Sequence, residues 1–205
     1  MQMNNYDKAE ASIDMVTISG WAVNFLQPEL TPIDPEDLRR STINICRYNG
    51  HIDWRLVQHL WLVVELARFF YPGDPLAWYY CGTHDLHETL VQDIVSGFKR
   101  YLSEYEDIEH SWELHVHKSL GFPWKMRPHE KVKHIDRRAL VIEMIALHHP
   151  AGEYVSRYYG GMPTADELQI MSDVRALSPH ECWDRLWATL NQGRTYIRGV
   201  NNGES

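Results

Sequence analysis

The stretch WRLVQHLWLVVELARFF, residues 54–70, decides the fold more than any other part of the chain. It is largely apolar, which is typical of a helix that is buried among other helices. It stops at Tyr71-Pro72-Gly73, a strong helix-ending sequence. His59 lies within this apolar run, so the predicted helix carries an imidazole into the protein core.

Further helices are predicted on both sides of this run. Asp34-Pro35 and Asp74-Pro75 each combine an N-cap residue with a proline at the first helical position. The capping-box spacing of a hydroxyl residue and a glutamate three positions later opens two more helices near the C-terminus. The predicted helices cover about 35–47, 54–70, 75–91, 98–120 and 129–148, with the last two starting after Thr164 and Ser178.

Strand patterns are nearly absent from the chain. Alternation of apolar and polar residues is found only over about 15–19. The sequence therefore predicts an all-α fold, with one helical domain over residues 31–200 preceded by an N-terminal extension, residues 1–30.

Composition excludes several classes of protein. No run of about 18 uncharged apolar residues exists that would span a membrane, and the N-terminus lacks the pattern of a secretory signal. The three cysteines are far apart and form no CxxC pair, which argues against disulfides and a cysteine zinc site and favours a cytoplasmic location. The net charge of −8 argues against binding duplex nucleic acid.

Histidines and carboxylates placed in apolar helices form the strongest chemical signal among the 12 histidines of the chain. His84 and Asp85 are adjacent, and burying both costs desolvation energy unless a partner compensates. A divalent metal compensates well, since imidazole and carboxylate are its usual ligands. His59 and Asp136 lie in two other predicted helices, so helices of one bundle can deliver all four groups to its core.

The order H…HD…D resembles the signature of the HD-domain superfamily of metal-dependent phosphohydrolases. The resemblance covers roughly residues 15–145 and rests on three segments. The stretch before them, TISGWAVNFLQPELTPIDPEDL (17–38), is similar to the leader of many phage-encoded members. The core is similar to bacterial 5′-deoxynucleotidases and to phage enzymes that convert dATP to deoxyadenosine and triphosphate. The three segments are ICRYNGHIDWRLVQHLWLVV (45–64), HDLHETLVQDI (84–94) and VKHID (132–136).

The resemblance implies a role for each matching residue in a site at the core of an HD-domain helical bundle. Glu88 would orient or deprotonate the attacking water, and Asp93 would hydrogen-bond the deoxyribose. Arg47 would contact sugar or phosphate, and Tyr48 would crowd the 2′ position. The implied phosphate contacts are Lys99 and Lys133, and the implied ligands of a divalent ion (Co, Mn, Zn or Mg) are His59, His84, Asp85 and Asp136.

The resemblance leaves the substrate open. A dATP triphosphohydrolase, possibly encoded by a phage and acting in the host cytoplasm, is the first expectation, and a 5′-deoxynucleotidase is the alternative. A catalytically silent nucleotide sensor and a hydrolase of signalling nucleotides are further alternatives. The family also suggests a homo-oligomer. The chain departs from the family pattern at Gln92, where glycine is frequent.

Overall fold

The fold is built from ten α-helices and one short hairpin in the computed structural model, which describes residues 13–92, 94–99 and 101–202. The prediction of an all-α protein is confirmed for these residues. Short 3-10 helices at Pro28–Leu30, Tyr48–Gly50 and Trp124–Met126 join some of the elements. The elements in chain order are β1 (Met15–Val16), β2 (Ala22–Val23), α1 (Pro35–Asn44), α2 (Leu56–Phe70), α3 (Pro75–Thr83), α4 (Glu88–Val91), α5 (Ser96–Lys99), α6 (Ser103–Ser119), α7 (His129–Ala146), α8 (Gly152–Ser156), α9 (Ala165–Arg175) and α10 (Pro179–Asn202).

Helix α2 is the centre of the core. It packs against α1, α3, α7, α9 and α10, which explains why its side chains are apolar around nearly the whole circumference. Helix α10 also approaches α3 closely, because Gly193 leaves room for the ring of Tyr79; a Cβ at Gly193 would lie 2.6 Å from that ring. The core thus forms around the helix that carries His59.

The N-terminal hairpin is the one paired-strand element among the residues that the structure describes. Strands β1 and β2 are antiparallel, with Met15 opposite Val23. Paired strand residues end at Val16, earlier than the alternation in the sequence predicts. The hairpin region is joined to α6, since the Trp112 indole N–H donates to Phe25 O at 3.1 Å.

Local capping signals in the sequence determine where four helices begin. The Asp34 carboxylate accepts a hydrogen bond from Glu36 N at 2.8 Å, and Asp74 accepts one from Ala77 N at 3.2 Å. The two capping boxes near the C-terminus form as predicted: Thr164 N and Ser178 N each donate to the glutamate three residues later, at 2.7 and 2.8 Å. These helix starts follow from side chains close in sequence.

The predicted continuous helix over 75–91 is wrong. Helix α3 ends at Thr83 and α4 begins at Glu88, with tight turns between them. The His84 ring donates from Nδ1 to Cys81 O at 2.7 Å, so a side chain takes the place of a backbone amide in the last turn of α3. The following backbone bonds, including Glu88 N to Asp85 O at 3.1 Å, close tighter three-residue turns.

Other helix bounds also differ from the predictions. The predicted helix over 98–120 is divided into α5 and α6, and α1 and α7 end earlier than predicted, at Asn44 and Ala146. Helix ends near loops depend on contacts made after folding, which local sequence does not encode.

A buried ion pair connects α7 to α9. Arg138 donates to both carboxylate oxygens of Glu167, and also to Gly161 O at 2.7 Å and Met162 O at 3.1 Å. Burial alone would raise the pKa of Glu167, but the hydrogen bonds from Arg138 and Thr164, together with the charge of Arg138, outweigh burial and lower the pKa below its usual value. The pair therefore fixes the loop before α9.

Replacing Glu167 by glutamine should destabilise the fold, because it leaves the buried Arg138 charge uncompensated. The expected loss is about 3–5 kcal/mol in the free energy of unfolding near pH 7. Since the pKa of Glu167 is lowered on folding, the wild-type advantage should be present above about pH 4.3 and disappear as the pH falls through the folded-state pKa. Urea titrations at several pH values measure this.

A matched control for this substitution is Asp166→Asn, at the exposed neighbouring position on α9. It should change the unfolding free energy by less than about 1 kcal/mol. Equal effects of the two substitutions at pH 7 would contradict the stabilising role of the ion pair.

Candidate metal site and cavity

Four predicted ligands meet where α2, the 84–85 turn and α7 come together. His59 projects from the buried side of α2, and His84 and Asp85 lie in the turn that follows α3. Asp136 lies on α7. One ligand atom from each residue lies within 4.8 Å of all the others, so the group could hold a metal ion.

The distances within this group suit a shared cation. The two Nε2 atoms of His59 and His84 are 3.3 Å apart, and His84 Nε2 is 3.1 Å from Asp85 Oδ2. His59 Nε2 is 3.5 Å from Asp136 Oδ1. Metal–ligand bonds of roughly 2.0–2.2 Å place ligands of one ion at such separations.

Both imidazoles are oriented by a hydrogen bond at Nδ1, the ring nitrogen that does not face the other candidate ligands. Nδ1 of His59 lies 2.6 Å from Glu143 Oε1, and Nδ1 of His84 lies 2.7 Å from Cys81 O. A carbonyl or carboxylate oxygen only accepts, so each Nδ1 carries the proton, and the lone pair of a neutral ring is on Nε2. This arrangement of ligand histidines is common in metal sites, so the residues present fit a divalent ion.

Within the group of four residues, the imidazoles and the carboxylates stabilise each other's charged forms. Burial alone would lower the pKa of His84, but Asp85 and Asp136 raise it well above its usual value. Burial alone would raise the pKa of Asp85, but His84 holds it well below the usual range. Without a cation the two imidazoles therefore attract protons, and a metal ion would compete with those protons.

Glu143 is the residue of this region that the sequence analysis missed. It is fully buried on α7, and its second carboxylate oxygen accepts a hydrogen bond from the Tyr48 hydroxyl at 2.7 Å. Burial alone would raise its pKa, but His59 and Arg47 hold that pKa at about 2. The signal was available: Glu143 is a carboxylate in the apolar run ALVIEMIAL, two helical turns after Asp136.

Arg47 lies beside the candidate ligand Asp85, and both Arg47 and Tyr48 contact Glu143. Arg47 Nη1 is 3.7 Å from Asp85 Oδ2, and its Nε is 3.5 Å from Glu143 Oε2. The Tyr48 ring lies 6.0 Å from the ring of His149. The backbone of Tyr48 has φ = 54°, a strained value for a bulky residue. The predicted contacts of Arg47 and Tyr48 with a sugar or phosphate stay predictions.

Glu88 and both predicted lysines line one cavity of about 670 Å³ together with three of the four ligands. Lys99 forms an ion pair with Glu109, and Arg127 forms one with Glu113. Lys133 has no ion-pair partner in the described part of the chain. Asp93 lies outside the described residues. The cavity is lined by His84, Asp85, His87, Glu88, Lys99, Glu106, Glu109, His110, Glu113, Trp124, Arg127, His129, Glu130, Val132, Lys133 and Asp136.

No protein-family model matches the chain, and no curated protein is significantly similar to it.

Among the described residues, no helix combines the length and apolar character needed to cross a membrane.

Proposed function

We propose that this protein is a metal-dependent phosphohydrolase of deoxynucleotides with an HD-domain bundle. One observation carries the proposal: His59, His84, Asp85 and Asp136 converge within 4.8 Å, next to a cavity that Glu88 also lines. A carboxylate beside a cation site and an open cavity is the arrangement that hydrolysis of a phosphate ester requires.

The reaction breaks the ester bond between phosphorus and O5′ of the deoxyribose. His59, His84, Asp85 and Asp136 would hold a divalent ion, which when bound would supply Lewis-acid activation of water and stabilise charge on the phosphoryl group. Glu88 accepts a proton from the attacking water as the new oxygen–phosphorus bond forms, and the leaving O5′ takes a proton from solvent water to become the nucleoside hydroxyl. Lys133 provides positive charge for the phosphate oxygens.

The first candidate substrate is dATP, cleaved to deoxyadenosine and triphosphate. The resemblance of residues 17–38 to the leader of phage-encoded enzymes favours this candidate. The cavity of about 670 Å³ is within the range that holds a small-molecule ligand. Such an enzyme would act in the cytoplasm, the host cytoplasm if a phage encodes it, and we propose that it forms homo-oligomers.

A 5′-deoxynucleotidase is the second candidate, and the charge of the cavity favours it. The lining includes seven carboxylates and only three lysine or arginine side chains, and two of these cations are already paired with carboxylates. A monophosphate carries less negative charge into such a cavity than a triphosphate does, so it meets less repulsion.

A product assay tests both candidates. The purified protein is incubated with Mn²⁺, Co²⁺ or Mg²⁺ and each dNTP, NTP and dNMP, and the products are separated by chromatography. Triphosphate and deoxyadenosine from dATP support the first candidate, and phosphate from dAMP with dATP intact supports the second. Nucleotide binding without turnover would contradict an enzyme and favour a sensor. Asp85→Ala, which lacks a ligand, is the inactive control.

A further inference from the structure

A second cavity, which we call the aromatic cavity, lies between the end of α2, helix α7 and the loop that follows α8. It has a volume of about 600 Å³, and aromatic rings from two separate segments line it. Phe69 and Phe70 end α2, whereas Tyr158 and Tyr159 belong to the loop. Phe69 and both tyrosines are exposed. Exposed aromatic rings gathered around one cavity are typical of a binding site.

The loop that carries the two tyrosines is held by the buried ion pair between α7 and α9. Arg138 Nη1 donates to Gly161 O at 2.7 Å, and Arg138 Nη2 donates to Met162 O at 3.1 Å. Gly160 and Gly161 have φ values of 95° and 80°, which glycine adopts without strain. The tyrosine rings are therefore presented by a backbone that is held in place without a ligand, which lowers the entropic cost of binding one.

The charges of the aromatic cavity suit an anionic group better than those of the metal-site cavity do. Three carboxylates and three lysine or arginine side chains line it, against seven and three at the metal site. Lys133 and Arg137 form no ion pair with any residue that the structure describes, and the Arg137 guanidinium lies 5.7 Å from the centre of the Tyr159 ring. One of the carboxylates belongs to the buried ion pair. The other two, Glu130 and Asp166, lie in the first turns of α7 and α9, where the helix amides offset part of their charge.

The aromatic cavity adjoins the metal-site cavity on helix α7. Glu130 and Lys133 line both cavities. The candidate ligand Asp136 follows Lys133 by three residues, which is about 4.5 Å along the helix axis. The two cavities are therefore neighbours that share one cation.

We propose that the aromatic cavity is a second binding site, which takes a nucleoside phosphate distinct from the one at the metal site. The base stacks on the exposed rings, because every base has a face that packs on an aromatic side chain. The phosphate lies against Arg137 and Lys133, whose charges are free to pair with it. This binding requires neither a metal nor hydrolysis, so the inference goes beyond the proposed function.

Equilibrium dialysis of dAMP against the full chain, with a chelator present, tests the inference without turnover. The wild type should bind dAMP about tenfold or more tightly than deoxyadenosine or inorganic phosphate, because only dAMP engages the rings and the cations together. Arg137→Gln and Tyr159→Ala should each weaken dAMP binding about tenfold, whereas Tyr159→Phe keeps the ring and should bind like the wild type. Arg157→Gln, which removes an exposed charge outside the cavity, is the matched control.

Glu88→Gln separates the two cavities, since it alters only the one at the metal site and should leave dAMP binding in chelator unchanged. Absence of hydrolysis would refute the proposed function and leave this inference standing. Equal dAMP affinity in the wild type and Tyr159→Ala, or a loss of binding confined to Glu88→Gln, would overturn the inference. So would a Tyr159→Ala variant that binds dAMP normally but no longer self-associates in analytical ultracentrifugation, because that result would assign the aromatic cavity to a second copy of the chain.

Discussion

Substituting Glu88 by glutamine should lower kcat about 10²–10⁴-fold while the protein still binds its metal and substrate. The expected loss equals the usual rate contribution of a general base. The glutamine amide keeps the shape of the side chain but cannot accept the proton of the attacking water. Glu88 is buried at the start of α4 and lines the same cavity as His84 and Asp85. Single-turnover hydrolysis measures the loss.

Calorimetric titration with Mn²⁺ or Co²⁺ separates this role from metal binding. The dissociation constant of Glu88→Gln should match that of the wild type. Glu104→Gln is the matched control, since Glu104 is exposed on α6 and does not line the cavity; its kcat should not change. A variant of Glu88 that no longer binds metal would show that this carboxylate is a ligand and would contradict its assignment as the base.

Substituting Glu143 by alanine should weaken metal binding about 10–100-fold, although Glu143 is not among the predicted ligands. The substitution removes the acceptor of the His59 Nδ1 proton, so the ring loses both its preferred tautomer and its orientation. It also leaves the half-buried Arg47 and Tyr48 without their shared partner. Titration of the chelator-treated protein with Co²⁺, followed by its visible absorption, measures the affinity and the ligand geometry.

Glu143→Gln gives a second, graded test of this prediction. The glutamine carbonyl can still accept from His59, so its metal affinity should lie between those of the wild type and Glu143→Ala. Thermal melting identifies the conditions under which each variant is folded, and affinities are compared only there. Glu153→Gln, at an exposed position on α8, should bind metal like the wild type. Wild-type affinity in folded Glu143→Ala would refute the orienting role.

Parts of the fold that depend on neighbours in sequence could be predicted from the sequence. Asp34-Pro35, Asp74-Pro75 and Thr164 open helices as expected, because an N-cap satisfies amides only two or three residues away. The burial of α2 was predictable as well, since a helix that is apolar around nearly its whole circumference has no stable place at the surface.

The break between α3 and α4 was not predicted, although the side chains that bond to the backbone there are only three residues from the carbonyls they occupy. The Thr83 hydroxyl donates to Tyr80 O at 3.2 Å, and His84 donates to Cys81 O. The 75–91 stretch contains no glycine or proline after Gly82 that would mark this position. A strong apolar pattern therefore predicted one helix where the chain forms two.

The group of four residues that could hold a metal ion was predictable from the sequence, and its surroundings were less so. The sequence placed the four candidate ligands on three separate segments, with His84 and Asp85 adjacent, and the fold brings them together. The pairing of Lys99 with Glu109 depends on how α5 lies against α6, which no local pattern encodes. The number of unpaired cations in the cavity is therefore a property of the tertiary structure rather than of the motif.

The hydrogen bond from His84 to Cys81 O has a consequence for how inactive variants are interpreted. The same imidazole that offers Nε2 to the cavity uses Nδ1 to occupy a carbonyl in the last turn of α3. A substitution of His84 thus removes a candidate ligand. It also leaves Cys81 O without this hydrogen bond at the end of α3, where the chain turns toward α4. Loss of activity in such a variant combines two causes, whereas a change at Asp136, within the regular helix α7, isolates the chemistry.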